Sequence, residues 1–153
     1  MSDKLDVVGI GNAMVDAIIP SNQSEIEKHE INRDSMNLID ENLKNNLHES
    51  YSIREMAGGG SLGNSMFGIT SFGGNGSFIG KIKNDEIGVY LQKDMIREGL
   101  KFPLGFTSPD ISTGCCTIFV EEDGTRTMCT FLGAGTLIGC LLYTSPSPRD
   151  SRV

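Results

Sequence analysis

GGGSLGNSMFGITSFGGNGSFIG, residues 58–80, holds nine of the 19 glycines in a chain of 153 residues. Glycine inside a helix or strand costs roughly 0.5–1 kcal/mol against alanine, so such a density is retained where backbone must approach something closely. Leu62, Met66 and Ile69 recur at helical spacing within it, which predicts a helix over Ser61–Phe72 entered directly from Gly58–Gly60. A short strand over Ser77–Ile82 is expected next. After it Asp85–Glu98 reads as an amphipathic helix, with Ile87, Leu91, Met95 and Ile96 as its apolar stripe and Gly99 as its C-cap. Strand, helix, strand, helix is the rhythm of an α/β fold.

Upstream, Leu5–Ile19 reads as two extended apolar pieces interrupted by Asn12 and Asp16. Ser24–Tyr51 turns acidic and helical, with Ile26, Ile31, Leu38, Leu43 and Leu47 loosely spaced and Asp40 or Ser24 able to cap. It is expected to be an exposed helical excursion whose charges are solvated. Downstream, Thr113–Glu121 and Arg126–Leu132 are β-branched and aromatic runs joined through Asp123-Gly124, which predicts a hairpin. CLLYTSPSPRDSRV, from Cys140 onward, has two Ser-Pro pairs, no periodicity and no apolar face.

The charge balance narrows the partners. Thirteen basic residues are scattered among 20 acidic ones for a net charge of -7, which argues against nucleic acid, since phosphate backbones are held by clustered Lys and Arg. No apolar run is long enough to span a bilayer and Met1–Asp6 is charged, so no membrane is expected and the reading is cytoplasmic, with small molecules as partners. The four cysteines show no metal-ligand spacing and read as structural thiols; His29 and His48 sit in a polar stretch and read as solvated.

Two nucleotide motifs fail on inspection. Gly9-x-Gly11 has Met14 at the third glycine position, and a strand-like rather than helical segment follows. Gly80-Lys81 resembles a P-loop ending, but Asn75 and Ile82 stand where a glycine and a hydroxyl residue belong. What survives is a polar set: Asn12 and Asp16, then Gly59, Gly60, Ser61 and Asn64 where the glycine tract enters its helix. A carboxylate can accept from two neighbouring hydroxyls and an amide can both donate and accept, which suits a vicinal diol. Such bonds to a charged group are worth about 1.5–3 kcal/mol each. The residues alone fit equally well a flexible glycine loop beside a surface aspartate.

VVGIGNAMVD (7–16), GGGSLGNS (58–65), FGGNGSFIGKIKNDEIG (72–88) and TGCCTIFVEEDGTRTM (113–128), in that order and spacing, resemble the PfkB, or ribokinase-like, family of carbohydrate and nucleoside kinases. The likeness covers almost all of residues 5–136. Gly-Asn-Ala-x-Val-Asp, RDSMNLIDE (33–41) and DGTRTMCTFLGA (123–134) are most similar to that family's bacterial adenosine kinases.

The resemblance implies the N-terminal part of a three-layer, Rossmann-like α/β fold with a small β-sheet lid built from Val15–Pro20 and the 113–132 hairpin. It implies that Asp16 and Asn64 bind sugar hydroxyls, that Gly59, Gly60 and Ser61 line the same pocket, and that Asn12 accompanies Asp16. Cys116 is implied to touch the base, or else to be a packed lid thiol. A homodimer through the lid is a further implication. The parent activity would be transfer of the ATP γ-phosphate, with Mg2+, to a primary hydroxyl of a nucleoside, adenosine foremost, with a ribokinase- or fructokinase-type sugar as the alternative.

The family's Gly-Ala-Gly-Asp element, whose Asp is the catalytic base, is not reached. Gly133-Ala134-Gly135-Thr136 has Thr in place of Asp and follows the hairpin too early. No catalytic residue is therefore expected in this chain, and ATP and Mg2+ belong to the full-length parent. Residues 1–138 are expected to be half of the kinase domain; 139–153 resemble translated sequencing-adapter sequence, a non-native read-through tail. A noncatalytic nucleoside- or sugar-binding module is the reading from a different class.

Overall fold

The computed structural model of the chain describes residues 4–103 and 106–139. In chain order these form β1 (Val7–Ile10), β2 (Met14–Pro20), α1 (Gln23–Glu27), β3 (Met36–Leu38), α2 (Glu41–Ser50), β4 (Glu55–Gly59), α3 (Ser61–Ser71) and β5 (Gly76–Ile79). Then come β6 (Ile82–Lys83), α4 (Glu86–Arg97), β7 (Phe106–Ser108), β8 (Gly114–Val120), β9 (Arg126–Phe131) and a 3-10 turn over Gly133–Leu137.

Three sheets result. β1 and β5 pair in parallel, as a strand–helix–strand crossover through α3 requires, and β6 pairs in parallel with β7. The third sheet has five strands in the order β3-β9-β8-β2-β4. Its centre is the parallel pair of β2 and β8, seven residues in register from Met14↔Gly114 to Pro20↔Val120. β4 and β9 flank that pair antiparallel, and β3 closes one edge.

Side chains alternate across a strand, and the five-stranded sheet uses both faces differently. Val15, Ala17, Ile19, Cys115, Thr117 and Phe119 are fully buried on one face. Asp16 and Cys116 project from the other. One core joins Ala13 and Val15 to Met66, Phe78, Ile82, Leu91, Met95, Leu100 and Phe102. A second packs Ile19, Phe119 and Cys129 against Ile26 and Leu47. Fully burying a side chain of this size contributes about 1.5–3 kcal/mol, so each helix is held by its apolar stripe rather than by propensity.

The α/β class and the hairpin are as expected: β8 and β9 turn through Asp123-Gly124, with Gly124 at φ 87°. α4 is capped by Asp85 and followed by Gly99 at φ 82°. A strand, not a helix, follows Gly9-x-Gly11, which is what a dinucleotide fold cannot have there. Other expectations fail. The 24–51 excursion is not one helical stretch, because Met36–Leu38 adds to the sheet as β3, and Asn22 rather than Ser24 caps α1. Ser77–Ile82 is interrupted between Ile79 and Ile82. Ile96 is 59% exposed and leaves the stripe to Ile87, Leu91 and Met95. The segment from Cys140 to Val153, expected to be foreign, lies outside the described residues.

The charges and histidines of the 24–51 segment are also not simply solvated. Lys44 is 5% exposed, donates to Ser112 Oγ at 3.2 Å and lies over the Phe131 ring; Ser112 in turn donates to Glu41. His48 Nε2 is 2.9 Å from Thr117 Oγ1, and His29 Nε2 is 2.8 Å from the Tyr51 hydroxyl. Burial, and then the nearby Lys44 charge, lowers the His48 pKa. A helix read only for its own periodicity gives no sign of partners 60 or 70 residues away.

Candidate functional site

Register places the polar residues. Asp16 on β2 stands opposite Ala57 on β4 and Cys116 on β8, and Cys116 stands opposite Thr130 on β9. Asp16, Cys116 and Thr130 thus form one row across the face of the sheet, and Thr130 Oγ1 donates to Cys116 Sγ at 3.4 Å. Thr130 was not among the residues singled out from sequence, yet the hairpin turn that pairs Val120 with Arg126 also pairs Cys116 with Thr130.

Asp16 is half-buried and makes no hydrogen bond to any other described residue. Burial raises its pKa. A Cβ on Gly59 would overlap its carboxylate, so glycine at 59 leaves the volume in which the acid lies. Gly60 follows at φ 79°, a conformation that favours glycine, and opens α3. α1, α2 and α4 each begin with a side-chain cap from Asn22, Asp40 or Asp85, whereas no side chain caps α3. Its first backbone amides are orphaned as at any helix start, and Ser61 there is exposed.

Gly58–Gly60 is not a flexible loop: Gly58 and Gly59 end β4, in register with Val15 and Met14. A cleft of about 390 Å³ opens beside them, lined among others by Asn12, Met14, Gly60, Ser61, Thr130 and Leu132. Asn12 is exposed in the β1–β2 turn and packs beside Gly135, where an added Cβ would come within 3.0–3.1 Å of it. Asn12, Gly60 and Ser61 therefore share the cleft, Asp16 and Gly59 touch each other next to it, and exposed Asn64 lies one turn into α3. Asp16, Gly59, Asn64 and Cys116 do not line the cleft itself.

A larger cleft of about 780 Å³ lies at the far end of β2, around Arg54, Glu121, Glu122 and Asp123. It holds none of the polar residues singled out from sequence, and its Glu121 carboxylate is already paired with Arg33 at 2.8 Å. On the reverse face a cavity of about 420 Å³ takes in Lys44, His48, Ser112 and Cys115. Burial pushes the Cys115 thiol up to about 12, which makes it inert at neutral pH. Among the described residues no group of three or more His, Cys, Asp or Glu is placed to hold a metal ion, and no described helix is long and apolar enough to cross a membrane.

Residues 5–137 match the family model of the pfkB family carbohydrate kinases. No curated protein sequence matches the chain. Among solved structures, the adenosine kinase from Sinorhizobium meliloti is 36% identical over 89% of this chain and 42% of its own, with a TM-score of 0.79. A probable sugar kinase from Rhizobium etli CFN 42 is 32% identical over 88% of this chain and 41% of its own, at a TM-score of 0.78. An Anopheles gambiae adenosine kinase, 23% identical with a TM-score of 0.78 over 93% of this chain and 43% of its own, shares the fold. The chain thus spans less than half the length of each of these relatives.

Proposed function

The chain belongs to the pfkB family of carbohydrate kinases, and from that premise we propose that it forms the acceptor-binding part of a small-molecule kinase whose acceptor is a nucleoside, adenosine foremost. The observation that carries this reading is Asp16: a half-buried carboxylate without a hydrogen-bond partner among the described residues, seated against bare backbone at Gly59. Desolvating a carboxylate and leaving its lone pairs unfilled is unfavourable, so such a group is retained for what it receives. Two vicinal ribose hydroxyls fit it, each charge-assisted bond contributing about 1.5–3 kcal/mol.

The other residues have roles in the same reading. Asn64 and the uncapped start of α3 meet the ribose edge, Gly60 and Ser61 let the ring approach backbone, and Asn12 closes the cleft from the β1–β2 turn. Cys116 and Thr130 extend the row from Asp16 toward the base. The five-stranded sheet acts as the lid, excluding water from the acceptor. In this reading residues 1–138 make up the acceptor-binding unit, with 139–153 outside it.

ATP and Mg2+ complete the activity of the whole kinase, transfer of the γ-phosphate to a primary hydroxyl. Among the described residues no group of three or more His, Cys, Asp or Glu is placed to hold the metal, and the 3-10 turn Gly133–Leu137, which directly follows the hairpin, holds Thr136 and no carboxylate that could act as the base. This chain alone is expected to transfer no phosphate. A sugar acceptor is the second reading, supported by the 32% identity to the Rhizobium etli protein.

Titrating the chain with adenosine, ribose and fructose by calorimetry separates the readings. Saturable adenosine binding that Asp16→Asn weakens by about 1.5–3 kcal/mol is the expected result. Binding of ribose or fructose alone moves the assignment to a sugar, and binding of none of the three removes it.

A further inference from the structure

Helix α4 grips the five-stranded sheet at three points. At its start Asp85 accepts from Gly88 N at 2.7 Å and, across the cap, from Thr113 N at 2.9 Å and Thr113 Oγ1 at 2.7 Å. In the helix body the Tyr90 hydroxyl donates to the Met56 carbonyl. One turn later Asp94 Oδ2 accepts from the Gly58 amide at 2.8 Å.

Tyr90 and Asp94 are four apart on one helical face, and Met56 and Gly58 are two apart on β4, the edge strand. Two helix side chains thus take hydrogen bonds that an adjoining strand would otherwise make. Asp94 is 5% exposed, and its other oxygen is paired with Arg97, itself largely exposed. Gly58 has no freedom beside it: a Cβ there would come within 2.7 Å of the Phe67 ring and 2.9 Å of Asp94 Oδ2.

Three consecutive glycines lack the side chains that fix a strand end by packing, and they have the most backbone freedom to lose. Gly59 must nevertheless keep clear of the Asp16 carboxylate and Gly60 must hold φ 79° to start α3. We propose that Asp94 is a positioning residue for the acceptor site, its buried carboxylate anchoring the Gly58 amide so that Gly59, Gly60 and Ser61 are set against Asp16. The role rests on the acceptor reading above. Tyr90 holds the same strand but two residues earlier, outside the glycine tract.

Amide hydrogen exchange and adenosine titration of the 15N-labelled chain test it. Asp94→Ala is expected to speed exchange at Gly58–Ser61 at least tenfold relative to the β2–β8 ladder and to weaken adenosine binding at least tenfold. Asp94→Asn, which keeps an acceptor oxygen, restores most of both, and Tyr90→Phe leaves both within twofold. Unchanged exchange at Gly58–Ser61 in Asp94→Ala, or equal effects from Tyr90→Phe, overturns the role. Should Asp94→Ala not fold, the wild-type Gly58 amide decides: protection equal to that of the β2–β4 ladder is required, and free exchange overturns the proposal. A wild-type chain that binds no nucleoside or sugar sinks the acceptor reading, while exchange at Gly58–Ser61 still judges Asp94.

Discussion

The carboxylate of Asp16 fills the space that a side chain at Gly59 would claim, so two adjacent strands share one volume and only one of them supplies atoms to it. Gly59→Ala must therefore displace the acid or bend β4. Adenosine binding is expected to weaken at least tenfold, about 1.4 kcal/mol, with far-UV circular dichroism unchanged. Calorimetric affinity equal to wild type would separate Asp16 from the site.

Asp16→Asn should lose binding and gain stability. Burial raises the Asp16 pKa above its ordinary 3.8, so the folded chain holds that proton more tightly than the unfolded one. Its contribution is complete below the ordinary value and is lost as pH rises through the folded value. At pH 7 the variant is expected to melt at or above the wild type, with the gap closing toward pH 4, while binding falls by about 1.5–3 kcal/mol. A variant that melts clearly lower at pH 7 contradicts this account.

His48 works in the opposite direction. Its pKa is lowered from 6.5 by burial and by Lys44, so its contribution is present above 6.5 and is lost as pH falls from there toward the folded value. Thermal melts should drop between pH 7 and pH 5, and His48→Gln should flatten that drop. Parallel melting curves for the two proteins across this range would remove His48 as the cause.

Cys115 and Cys129 are both pushed up to about 12 by burial. Only about one thiol in ten thousand is then ionised at pH 8, so iodoacetamide should leave both unmodified in the folded chain and label both in urea. Peptide mapping reads the result directly, and native labelling at either position within minutes would be inconsistent with their burial.

α4 was legible because Asp85, the stripe of Ile87, Leu91 and Met95, and Gly99 agree with one another, and the hairpin because Asp123-Gly124 interrupts two β-branched runs. β4 was not, since Glu-Met-Ala-Gly-Gly has neither alternation nor bulk; it is a strand because β2 on one side and Tyr90 and Asp94 on the other satisfy its backbone. β3 was hidden likewise, with Met36 and Leu38 exposed at the sheet edge. Asn12, Gly60 and Ser61 could be grouped from sequence because Asn12 interrupts two apolar strands and Gly60 and Ser61 stand where a strand gives way to a helix. Thr130, Lys44 and Asp94 could not, because each takes its meaning from a partner distant along the chain.

The parallel pairing of β2 with β8 sets Asp16 beside Cys116, a hundred positions later in the chain. At synthesis rates of about 5–20 residues per second, the acid leaves the ribosome several seconds before its neighbour exists. During that interval β2 has only β4, the nearer strand, to lie against. The central ladder is a long-range closure of the kind that folds slowly. Asp16 is thus among the first parts of the cradle to be made and among the last to be enclosed.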